Sequence, residues 1–277
     1  MNLRNKTFTM LSHTLRKAAG FGFSVAVLSI FTVSVQADLV FNGSFESTTN
    51  GAGQLGFNTN ATGWTNEPDG QGHDGYNFLF LPGTADDGGA TGVDGSLELW
   101  GPNDGSSNGL PASSPDGGNY IAADGAYRVG AIEQTIYGLT IGDSYTVGFW
   151  WAGAQQYGFN GATTEGWQVS FGSEEQSTGM EDNASHGFTG WMYQTFTFTA
   201  DSTSDVLSFL ALGTPTGEPP FSLLDGVSLN ASDPSVPEPE TLALMLGGLG
   251  LVCALGVLRS KNRLKSELRA RRDPYRF

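Results

Sequence analysis

Between residues 38 and 232 the apolar side chains recur at every second position. Tyr145, Val147, Phe149 and Trp151 alternate with Thr146, Gly148 and Trp150; Trp167, Val169 and Phe171 alternate with Gln168 and Ser170; Phe196 and Phe198 alternate with Thr195, Thr197 and Thr199. Successive side chains of a strand point to opposite faces, so such segments bury one face each. No amphipathic helical pattern competes with them. Further strands are expected near 39–41, 76–81, 96–100, 119–123, 128–137, 205–213 and 221–229. Segments 50–75, 82–95 and 101–118 are rich in Gly, Asn, Asp, Ser and Pro and read as loops. No repeat of fixed period points to a propeller or solenoid. The expected fold class is all-β, a two-sheet antiparallel sandwich. The neighbours Trp150 and Trp151 must then face opposite ways; with Trp151 beside Phe149 in the core, Trp150 faces out.

Charge is segregated as sharply as hydropathy. Residues 38–236 hold 24 Asp and Glu against the single base Arg128, a formal charge of −23, while the other bases lie before residue 18 or after residue 258. This excludes nucleic acid as a partner of the central region, because affinity for phosphate backbones comes largely from Lys and Arg. An acidic polysaccharide would be repelled as well, so direct binding favours a neutral glycan.

Two apolar segments set the route. A basic stretch through Lys17, an apolar run from Ala18 to Val35 and the small-residue site Val35-Gln36-Ala37 form a signal segment, 1–37, with cleavage expected after Ala37 and export through the Sec translocon. The second run, 242–258, is uncharged, and as a helix it is roughly 26 Å long, enough for one transmembrane helix. The basic residues that follow it place the tail 259–277 in the cytoplasm and residues 38–240 outside. Between domain and span lies a linker, 233–241, whose Pro237, Glu238 and Pro239 cannot continue a helix and so form an extended strip just outside the membrane. A Pro-Glu-Pro triplet, an immediate apolar helix and a basic cluster in that order resemble the PEP-CTERM sorting signal of Gram-negative bacteria. The resemblance implies processing by an exosortase and traffic to the cell surface or an exopolysaccharide matrix. The tail continues past the point where such signals usually stop. Cys253 lies within the span, so the exported domain has neither thiol nor disulfide.

The segments LVFNGSFE (39–46), GW (63–64), AIEQTIYGLTIGDSYTVGFWWAG (131–153) and LLDGVSL (223–229) resemble landmarks of galactose-binding-like jelly-roll domains, the fold of many carbohydrate-binding modules. That resemblance implies a structural Ca²⁺ held by Glu46 and Asp225 with carbonyls near Asn42 and Gly43. The plainer reading makes Asn42, Gly43 and Ser44 one turn and Asp225 another. Aromatics able to stack on sugar are Trp64, Trp100, Trp150, Tyr157 and Trp191, with Phe159 close by, although a Trp on an alternating strand is more often core. Catalysis has no marked residue: no carboxylate pair stands out, and the Gly105–Gly109 match to a nucleophile elbow lacks a strand-to-helix context. His73 reads as an exposed loop residue, far from His186. The expectation is an exported, non-catalytic surface or matrix protein that binds glycan; the alternatives are a small glycan-active enzyme and a purely structural, calcium-stabilised matrix protein.

Overall fold

The computed structural model describes residues 37–232, Gly256, 259–267 and Arg269. Among these, the strands are β1 (Gly53–Gln54), β2 (Thr65–Asn66), β3 (Asn77–Phe80), β4 (Ala90–Gly92), β5 (Gly95–Leu97), β6 (Tyr120–Asp124) and β7 (Ile132–Tyr137), followed by β8 (Ser144–Gln155), β9 (Thr163–Phe171), β10 (Glu174–Ser177), β11 (Glu181–Asn183), β12 (Met192–Thr199), β13 (Ser204–Thr214) and β14 (Pro220–Ala231). One antiparallel sheet has the order β1-β3-β6-β14-β8-β12, the other β10-β9-β13-β7-β2, with β11 also on β9. The sandwich expected from the period-two pattern is what forms.

Alternation explains the packing. Leu79, Ile121, Val147, Phe149, Trp151 and Leu224 of the first sheet meet Ile132, Ile136, Trp167, Val169, Leu207 and Phe209 of the second in the main core. Phe209 is its centre, edge-on to Phe149 at 5.1 Å and to Trp167 at 6.0 Å. Trp151 is buried with them and Trp150 lies on the other face, as alternation requires.

The opposite face of the first sheet carries a second core, and here the loop reading of 82–95 and 101–118 is corrected. Phe78, Phe80, Tyr120, Ala122, Phe221 and Leu223 are covered by Ala85, Ala90, Leu97, Leu99 and Leu110. The segment thus supplies the β4–β5 hairpin, a 3₁₀ turn at Pro102–Asp104 and a lid over the sheet. Apart from Leu97 and Leu99, its apolar residues are single and widely spaced among turn residues, so no periodicity announces them. Segment 50–75 likewise contributes β1 and β2 to the sheet margins. The strand expected at 39–41 does not form; Leu39 donates one backbone bond to Leu229 at 2.9 Å and the chain then turns at Asn42. The expected strands 96–100 and 128–137 are shortened to β5 and β7, because positive φ at Arg128 keeps the entry to β7 in a turn.

Among the described residues, every member of both cores lies between Leu39 and Ala231, so residues 38–232 carry both interiors. Residues 259–267 are helical and exposed, and no helix among the described residues is long and apolar enough to cross a membrane. The signal segment, the triplet and the span at 242–258 lie outside the described residues, apart from Ala37 and Gly256.

Candidate functional site

The edge of the first sheet where β8 meets β12 collects aromatic side chains in a file. Tyr193 is paired across the strands with Trp150, their rings 5.1 Å apart. Trp191, just before β12, contacts Tyr120 at 5.6 Å and Phe188 at 6.4 Å, and Phe188 is bridged to Ala154. Beyond Phe188 the chain at Glu98–Trp100 takes over beside β8: the Trp100 N–H donates to the Gln155 carbonyl and the Tyr157 N–H to the Glu98 carbonyl, both at 2.9 Å. Trp100 is stacked on His186 at 3.8 Å and meets Tyr157 edge-on at 4.6 Å. Its indole N–H donates to the Phe159 carbonyl at 2.9 Å. From Trp150 to the end of β8 at Gln155 is five strand steps, about 17 Å at ~3.4 Å each, and Tyr157 follows in the turn beyond.

Exposure decides which rings face solvent. Tyr193 is 53% exposed, Tyr157 43% and Phe159 36%, while Trp100, Trp150, Phe188 and Trp191 are half-buried. The indole N–H of Trp191 is buried and, among the described residues, has no hydrogen-bond partner. Flat apolar rings beside N–H and amide groups, including Asn160, whose side-chain oxygen accepts from His186 Nε2 at 2.7 Å, are suited to stacking on the C–H faces of a sugar while bonding its hydroxyls.

Of the aromatic residues picked from sequence, Trp100 and Tyr157 come together, and Trp150 and Trp191 lie on the same file. Trp64 does not. It is 6% exposed, packs between Phe45 and Phe209, and donates its indole N–H to the Asn42 carbonyl at 3.0 Å. Tyr193, Phe188 and His186 were missed. Tyr193 was within reach, since the alternation that buries Phe196 and Phe198 puts Tyr193, Thr195 and Thr197 on the other side; Phe188 and His186 lie in an irregular segment without such a signal.

The acids form a second grouping midway along β14, where Asp225 pairs with Trp150 of β8. Asp225 is fully buried; one carboxyl oxygen takes the Ser114 hydroxyl and the other has no partner. Asp116, which accepts the Ser44 hydroxyl at 2.6 Å, and Glu46, which accepts the Asn119 N–H at 2.7 Å, stand close enough to act on it. Burial pushes the Asp225 carboxyl up to about 8; Ser114 and the Gly226 N–H oppose this, and the charges of Asp116 and Glu46 add to it. A bulge between Asp225 and Ser228, with Gly226 at φ 56°, turns this corner.

One buried carboxyl oxygen of Asp225 thus stands without a partner near two further acids. Among the described residues no group of three His, Cys, Asp or Glu side chains is close enough to hold a metal alone. Asn42 and Gly43 contribute less than their position suggested. The Asn42 carbonyl accepts from Phe45 N–H and Trp64 Nε1, and the Gly43 carbonyl accepts from Val227 N–H at 3.0 Å. The oxygens left for a cation belong to Glu46, Asp225 and Asp116, the last of which sat in an unremarkable Pro-Asp-Gly turn.

Ser106 follows the 3₁₀ turn and donates to the His186 carbonyl at 2.8 Å, which is a structural role. His73 is exposed and bound to Asp69 at 3.0 Å.

The protein-sorting family model of the PEP-CTERM motif matches residues 235–261. The chain carries a PEP-CTERM sorting signal. It is an exported, exosortase-processed protein, as the triplet, apolar run and basic cluster implied. No curated protein matches the chain. Among solved structures it is similar to TmCBM61 in complex with beta-1,4-galactotriose (14% identity, 71% of this chain, 99% of that chain, TM-score 0.36). It is also similar to a CBM4 structure (18% identity, 69% and 99%, TM-score 0.30) and to the CBM22-1 xylan-binding domain of Paenibacillus barcinonensis Xyn10C (10% identity, 71% and 95%, TM-score 0.33). The sandwich itself rests on the two observed sheets.

Proposed function

We propose that this is a non-catalytic protein of the cell surface or exopolysaccharide matrix, which binds a neutral glycan along the file from Tyr193 and Trp150 through Trp191 to Trp100 and Tyr157. The observation that carries this reading is the file itself: aromatic rings gathered on one edge of an exported domain, several of them open to solvent. A soluble domain has no structural need to leave such rings exposed together. The formal charge of −23 on residues 38–236 favours an uncharged ligand. Before processing, the span 242–258 tethers the chain with the domain outside the inner membrane. A Ca²⁺ ion shared by Glu46 and Asp225, with further oxygens from the backbone, belongs to the same proposal; bound there it would neutralise the acids and tie the N-terminal segment to β14.

The test is direct binding. Residues 38–232 are titrated with a panel of neutral and acidic polysaccharides by affinity electrophoresis and calorimetry, together with Trp100→Ala and Tyr193→Ala variants whose melting is checked separately. Binding to a neutral glycan that both variants weaken supports the reading. A folded domain that retains none of the panel, or one whose binding ignores both rings, overturns it.

A further inference from the structure

Under the file lies a carboxylate without a partner. Glu165, on β9, is fully buried, and among the described residues neither of its oxygens has a hydrogen bond of good geometry, although Thr163 and Asn183 stand near enough to act on it; the hydroxyl of Thr163, on the same face, has no such bond either. The Glu165 side chain fills the space that Gly153 leaves open. A Cβ on Gly153 would stand 2.5 Å from Glu165 Oε2 and 3.0 Å from Thr189 Cγ2. Thr189 is itself clamped to Gly153: its hydroxyl accepts the Gly153 N–H at 2.8 Å, and its N–H donates to the Gly153 carbonyl at 3.0 Å. Asn183, where β11 ends, is paired with Thr163. Glu165 is therefore the floor beneath the segment 183–191, which carries His186, Phe188 and Trp191.

Among the described residues, nothing around that floor can neutralise a negative charge. On β11 the charged groups are Glu181, in register with Glu165 itself, and Asp182. The segment adds only His186, whose ring is engaged by Trp100 and Asn160. Glu218, in the turn between β13 and β14, lies against Gly161. β8 and β13 face Glu165 with Gly153 and Gly213, which do not titrate. Burial raises the Glu165 carboxyl to about 8 from an ordinary 4.5, with Thr163 and Asn183 pulling weakly the other way. A buried carboxyl with no cation nearby is held in its neutral form.

We propose that the neutral side chain of Glu165 fastens segment 183–191 to the sandwich, so that losing its proton frees the segment and interrupts the aromatic file. As regulation of ligand binding, this rests on the glycan-binding reading; as a property of the segment, it does not.

The sign follows from linkage. The folded value is raised, so stability from this group is fully present below about 4.5 and is lost as pH rises through about 8. In that window opening of the segment releases one proton, and its opening constant rises about tenfold per pH unit.

Amide hydrogen exchange of 183–191 in residues 38–232, corrected for intrinsic rates, reads this between about pH 5.5 and 7.5. The wild type should lose protection by about tenfold per unit, whereas E165Q, which keeps the shape without the proton, should stay level; E165L serves where the amide disturbs folding. A wild type that stays level, or substituted chains that match its slope, overturns the proposal. Glycan affinity measured alongside should fall with pH in the wild type alone. A chain that binds no glycan at any pH sinks the binding reading, while the exchange slopes still decide the fastener.

Discussion

Gly43 and Val227 meet backbone to backbone: the Gly43 carbonyl accepts the Val227 N–H at 3.0 Å, and a side chain on Gly43 would strike the Val227 carbonyl. The contact joins the first turn of the domain to its last strand. Gly43→Ala should destabilise by about 3 kcal/mol or more, since neither backbone can yield. Gly70, which has open space around it and no positive φ, provides the control, and Gly70→Ala should stay within about 0.5 kcal/mol. Urea denaturation of both variants measures the difference; equal midpoints would refute the contact.

Calcium should raise the melting temperature of residues 38–232 relative to EDTA. Asp225→Asn should abolish that rise and Asp116→Asn reduce it, since both lie at the corner with Glu46. A melting curve indifferent to calcium removes the ion from the corner.

Asp124 predicts a pH effect of its own. It is buried, one oxygen accepting the N–H groups of Ala126 and Tyr127 at 2.8 and 3.0 Å while the other has no partner. Burial raises its carboxyl to about 7, against the two N–H bonds, which lower it. The raised folded value means that its stability is present below about 4 and lost as pH rises through about 7, a change on the order of a few kcal/mol. Asp124→Asn keeps the acceptor for both N–H groups, and should match the wild type at low pH and exceed it at pH about 8. Denaturation midpoints across that range check it; parallel curves would count against it.

Trp64 and Trp100 should behave oppositely. Trp64→Ala opens the main core and should cost about 3–5 kcal/mol, seen as a lower melting temperature. Trp100→Ala, at the half-buried end of the file, should weaken glycan binding by roughly tenfold, more than 1 kcal/mol being usual for an aromatic anchor, with a smaller effect on melting. A Trp64 variant that melts normally would show that the ring is not core.

Replacing Pro237 and Pro239 by Ala lets the strip continue the helix that follows. The precursor should then accumulate at full length, visible as a larger species on immunoblots of membrane fractions. Normal processing would mean that the triplet is read by some other feature.

The two-sheet core could be read from the sequence because its strands alternate strictly, and alternation is a direct print of burial on one face. Trp151 and Trp150 fell on the expected sides for that reason alone. The second core could be read only at Leu97 and Leu99, which alternate with Ser96, Glu98 and Trp100; Ala85, Ala90 and Leu110 arrive singly between turn residues and are buried by tertiary contact. The file was half legible: Trp100 and Tyr157 stood out as aromatics near strand ends, but their meeting depends on β8 running past its sheet partners to pair with Glu98–Trp100. Glu165 gave no sign at all. Among 24 acids nothing local marks the one beneath a glycine of another strand.

β14 lies inside its sheet, bonded to β6 on one side and to β8 on the other, and six residues after Ala231 the chain reaches Pro237. Its first residue, Pro220, pairs with Gln155, beside the Trp100 end of the file. An anchor attached through the C-terminus and a ligand held near Trp100 would therefore pull at opposite ends of one strand, along its length. Load in that direction slides β14 against two neighbours at once and must break their hydrogen bonds together, whereas a strand at the sheet margin would peel open one bond at a time. Under such a load, the placement of the last strand would make the domain a mechanically resistant link.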